Sequence, residues 1–148
     1  MKDAVLSAIA EFENFFSLLE NKEGDVGRSF RARCRELSSL IEDVGLTSAL
    51  SFCYAKATDS VYKEMRELIE SKSRKIDEKD SLNRGYAIYL YLVLKRLKIL
   101  KLIESDLNNP RNALKELAEG KEIIASKLLR PYIVQLKKLS EAVFKEKK

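Results

Sequence analysis

Hydrophobic residues recur at helical spacing along most of the chain. Val5, Ile9, Phe12, Phe16 and Leu19 predict a first helix that stops before Gly24 and Gly27. Phe30, Cys34, Leu37 and Ile41 predict a second, with Gly45 as its C-terminal cap. Thr47 is placed to cap a short third helix through Ala57, where Leu46, Ala49, Leu50, Phe52 and Cys53 leave little polar face. That helix is expected to be nearly buried, with Leu50, Phe52 and Cys53 in the core. Thr58-Asp59-Ser60 supplies the next cap, ahead of a stripe of Val61, Met65, Leu68 and Ile69. Residues 71–85 alternate charges around only Ile76 and Leu82, and are expected to be a mobile charged loop. Tyr86–Ile103 is the most apolar helix and the expected centre of the molecule. Asn109-Pro110 then starts a helical pattern that runs to the C-terminus, with a kink expected at Pro131. The expectation is one all-α domain over 1–148, a helical bundle of five to six helices.

Composition supports this and removes several kinds of chemistry. Among 148 residues there are 5 Gly and 2 Pro, too few for the turns of a sandwich or barrel. Hydrophobic residues make up 45% and charged residues 34%, enough for a core within a charged shell. There is no His, which removes the commonest general base and zinc ligand. Two Cys, Cys34 and Cys53, lie on apolar stripes and read as core residues, not metal ligands or nucleophiles. No phosphate-binding glycine loop surrounds Gly24 or Gly27. The sequence calls for no metal, no cofactor and no enzyme activity. Its start does not read as a secretion signal, and no apolar run reaches membrane-spanning length, so a cytoplasmic location is expected.

Charge is unevenly distributed. Residues 1–26 carry two bases and six acids, whereas residues 86–148 carry fourteen bases and seven acids. This asymmetry fits either head-to-tail self-association or a polyanion-binding face at the basic end. Abundant Lys and Glu with a single Gln (Gln135) resemble the surface of a thermophile's protein. Arg28, Arg31 and Arg35 form one line on the second helix, with Arg33 beside it; Lys95, Lys98 and Lys101 form another, and Lys127, Arg130, Lys137 and Lys138 a third. Arginine's planar fork suits phosphate. A polyanion groove forms if the fold brings two of these lines together.

The segment FRARCRELSSLIEDVGLTSALSFCYAKA, Phe30 to Ala57, resembles the signature of the small helical subunit of type III-B CRISPR effector complexes, the Cmr complexes. Ile41, Gly45, Leu46, Leu50, Phe52, Ala55 and Lys56 carry the likeness. Tyr89–Leu100 and the stretch from Lys121-Glu122 to Leu129-Arg130 and Tyr132 resemble that family's last two helices. The chain departs from the pattern at Ser38-Ser39, Val44 and Pro131. The resemblance implies a non-catalytic subunit of an antiviral complex. Its copies would stack head to tail beside the backbone and large subunits and line a guide RNA–target RNA duplex. It implies RNA contacts at Lys56 and Arg130; the helical stripes add Arg31, Arg35 and Lys137, all directed at phosphates. A free-standing nucleic-acid-binding helical protein and a protein-only adaptor are the alternatives.

Overall fold

The computed structural model describes residues 2–146. They form seven α-helices: α1 (Lys2–Leu18), α2 (Asp25–Val44), α3 (Leu46–Ala57), α4 (Asp59–Ser71), α5 (Ser81–Ile99), α6 (Pro110–Glu116) and α7 (Glu122–Val143), with a π-helical turn at Leu117–Lys121. The fold is all-α, and among the described residues the one β-feature is an isolated parallel bridge between Leu19 and Ile76.

α5 is the axis of the bundle. Every residue from Tyr86 to Leu94 is buried, as a helix apolar on all sides requires. It packs against α2, α3, α4 and α7, while α1 lies along α7. The closest approach is at Gly85, where a Cβ would stand 2.9 Å from the backbone carbonyl carbon of Ser29 on α2. Only hydrogen fits there.

Several predicted signals act as expected. Gly45 sits at φ +91° and its N–H donates to the Ile41 carbonyl, closing α2. The Thr58 hydroxyl accepts from the Val61 N–H, and the Asn109 side chain from the Asn112 N–H with Pro110 following it. α7 carries Pro131 within it and continues to Val143.

Other expectations are corrected. On α1 the core face is Ala4, Ala8, Phe12, Phe15 and Leu18, with Leu19 buried just beyond the helix, while Ile9 is exposed and Val5 and Phe16 are only partly buried. The two alanines let α1 lie close to α7, which a stripe of large side chains would prevent. α3 begins at Leu46 directly after Gly45, so Thr47 is inside the helix and not its cap. Phe52 is not core. Leu46, Ala49, Leu50, Cys53 and Ala57 define the buried face, and Phe52 lies about 200° from Leu50 around the axis, on the solvent side. The C-terminal helical pattern is interrupted at Glu119 and Gly120, the latter at φ +114°.

The charged segment before α5 is shorter and better anchored than its composition indicates. Residues 81–85 already belong to α5, and Ile76 is buried between the Leu18 carbonyl, to which it donates at 2.7 Å, and the Glu20 N–H, from which it accepts at 2.9 Å. Arg84, 2% exposed, donates to Asp77 at 2.9 Å and to Glu64 at 3.0 Å, tying the segment to α4.

Candidate functional site

One of the basic lines borders a groove, and the arginine line of α2 stays outside it. α2 packs against α7, and between them runs a groove of about 710 Å³. Its floor is Ile41, Ile133 and Val134; its cationic wall is Lys127, Arg130, Lys137 and Lys138 from α7. Glu42 and Glu141 are the acids within it, so the groove keeps a net positive lining. The i, i+3 and i+7 spacing of Lys127, Arg130 and Val134 places them on one face of α7. The cations were legible in the sequence. The apolar floor was not, because Ile133 lies at the edge of the core face and Val134 beyond it.

Each predicted contact has a definite place. Arg130 and Lys137 line the groove, and Arg130 is 72% exposed with its Nη2 3.2 Å from Glu42. Arg35, 59% exposed, stands on the α2 side between Glu141 at 3.6 Å and Glu146 at 3.4 Å. Arg31 is half-buried and differently engaged: its Nη1 donates to the carbonyls of Glu141 (3.1 Å) and Phe144 (2.8 Å) at the end of α7. Lys56 lies outside the groove, exposed on α3, with Nζ 5.6 Å from the centre of the Phe52 ring. Of the remaining line, Lys95 pairs with Glu11 at 2.8 Å, while Lys98 and Lys101 stay exposed at the end of α5 and beyond it.

The other flank of α2 carries a cluster that sequence reasoning did not assemble. The Arg33 guanidinium lies 4.4 Å from the centre of the Tyr86 ring, and Tyr86 meets Phe52 edge-on at 6.0 Å. The Tyr86 hydroxyl donates to Glu36 at 2.8 Å. Arg33 and Arg35 are about 200° apart around α2, so one helix carries cations to both sides. The signal available was the spacing of Arg33 and Glu36; their aromatic partners come from α3 and α5, some twenty and fifty residues away.

The thiols are chemically quiet. Burial pushes the Cys34 pKa up to about 12, and that of Cys53 higher still. A thiol held protonated is a poor nucleophile. Among the described residues, no group of three or more His, Cys, Asp or Glu could hold a metal ion, and no helix is long and apolar enough to cross a membrane. What the site offers is fixed positive charge along a groove, which attracts polyanions.

No family model matches the chain, and no curated protein matches it. Its fold is similar to that of solved structures. A chain in the cryo-EM structure of the type III-B Cmr-beta bound to cognate target RNA and AMPPnP superposes with a TM-score of 0.81, at 21% identity, covering 99% of both chains. A chain in the cryo-EM structure of the type III-B Cmr-beta complex bound to non-cognate target RNA gives 0.80, at 22% identity over 97% of both chains.

Proposed function

We propose that this chain is a non-catalytic small subunit of a type III-B CRISPR effector complex, lining the guide RNA–target RNA duplex through phosphate contacts. The observation that carries the reading is the likeness of the whole fold, end to end, to chains of two such complexes in RNA-bound states. The α2–α7 groove supplies the physical reason: four cations on one helix, with exposed neighbours, form a track for an RNA backbone. Base pairing reads the target in a guide-directed complex, so this subunit must accept any sequence.

Arg35, Lys56, Arg130 and Lys137 are the phosphate contacts in this reading. The ion pairs now held by Arg35 and Arg130 are exposed, and such pairs contribute about 0–1 kcal/mol, so phosphate displaces Glu42, Glu141 or Glu146 at little cost. Arg31 serves the end of α7 instead, because exchanging its two carbonyl partners would uncap that helix. Copies stack head to tail: the acidic α1, with Leu6 and Ile9 exposed, faces the basic α7, with Ile123 and Ile124 exposed.

Purification of the chain from its native cells by an affinity tag tests the reading. Backbone and large subunits, together with guide RNA, should come with it in fixed proportion. Recovery of the chain free of RNA and of those subunits overturns the assignment.

A further inference from the structure

Phe52 is the one exposed aromatic ring among the described residues, with 36% of its surface open. The more exposed apolar side chains, such as Leu6 and Ile123, are aliphatic. The ring is also held in place. Tyr86 packs against it with the two rings nearly perpendicular, the Arg33 guanidinium backs Tyr86, and Glu36 joins the two, accepting from the Tyr86 hydroxyl at 2.8 Å and facing Arg33 Nε at 3.2 Å. Asn83 at the start of α5 donates to the Lys56 carbonyl at 3.0 Å, which fixes the end of α3. Glu36 is thereby compensated, and Lys56 Nζ, 5.6 Å from the Phe52 centroid, is the outward charge.

A flat ring braced by its neighbours and about a third exposed, with an exposed cation beside it, fits a flat partner on an anionic chain. We propose that Phe52 is a stacking platform for one unpaired base of RNA, with Lys56 turning from the ring to the adjoining phosphate. The site offers no donor or acceptor set for a base edge, and stacking accepts every base. The proposal rests on the RNA-lining function above and adds to it a contact to a base face, distinct from the phosphate track.

The test uses single-stranded RNA carrying 2-aminopurine in two unrelated flanking sequences, titrated at low salt with the wild-type chain and with Phe52→Leu and Phe52→Ala. Stacking on Phe52 quenches the probe. Quenching is expected with wild type and lost with Phe52→Leu, while Phe52→Ala weakens affinity by roughly 5- to 150-fold. The salt dependence of binding should be the same in all three. Salt-dependent binding with equal quenching in wild type and Phe52→Leu overturns the platform and leaves the RNA-lining function intact. No salt-dependent RNA binding by wild type overturns that function and the platform with it. A change of sedimentation in Phe52→Leu with unaltered quenching assigns the ring to a protein contact and also overturns the proposal.

Discussion

Arg31 of α2 caps the end of α7, donating from Nη1 to the Phe144 carbonyl at 2.8 Å and to the Glu141 carbonyl at 3.1 Å. The last carbonyls of a helix lack partners within it, and a cation there also meets the negative end of the helix dipole. The same contact positions Phe144, whose ring packs among Phe12, Phe15 and Phe16 of α1. Three helices are therefore joined through one side chain and the residue it holds.

Arg31→Ala should thus destabilise the protein by about 1.5–3 kcal/mol, the range for hydrogen bonds to a charged group. Arg35→Ala, which removes only exposed ion pairs, should cost under about 1 kcal/mol. Urea unfolding of the two variants separates them. Equal losses would contradict the capping role.

Core truncations follow the observed face of α3. Leu50 is fully buried, so Leu50→Ala should cost about 2–5 kcal/mol. Phe52→Ala should cost under about 1 kcal/mol, since the ring is exposed and packs chiefly against Tyr86. A reversed order in thermal or urea unfolding would mean that α3 is rotated relative to this structure.

Stability should fall in alkali. The ordinary thiol pKa of 9.0 is raised by burial to about 12 at Cys34 and further at Cys53, so the folded state keeps protons that the unfolded chain releases. That stabilisation is fully present below pH 9 and is lost as pH rises from there toward 12. Burial also raises the pKa of Tyr86, to about 12, which steepens the fall above pH 10. Each such group adds about 1.4 kcal/mol per pH unit to the slope. Cys34→Ala should reduce that slope between pH 9.5 and 11. A urea midpoint independent of pH across this interval would contradict the burial of both thiols.

These outcomes also mark how much the sequence reveals. α2 and α4 are strongly amphipathic, so Phe30, Cys34, Leu37, Met65, Leu68 and Ile69 identify their own buried faces. The Tyr86–Leu94 part of α5 needs no face because it is buried all round. α1 and α3 mislead because both carry large apolar side chains on more than one side, and the packing of alanines selects among them. The break at Gly120 had a local signal, a lone glycine within a helical pattern. The anchoring of residues 72–80 had none, since it depends on Leu18, Glu20 and Glu64, which are distant in sequence. For the candidate site, the basic lines on α2 and α7 were visible as helical stripes. The groove that α2 makes beside the α7 line, and the capture of Arg31 by a helix end, are products of tertiary packing.

The salt dependence of RNA affinity tests the central claim most directly, measured for two unrelated single-stranded sequences with wild type and with Arg130→Ala/Lys137→Ala. For single strands the logarithm of affinity falls with the logarithm of salt at a slope of about 0.7 per phosphate contact. The double variant should flatten that slope by roughly 1–1.5 units, equally for both sequences, with urea stability unchanged. An unaltered slope, or a loss confined to one sequence, would contradict a phosphate-lined groove between α2 and α7.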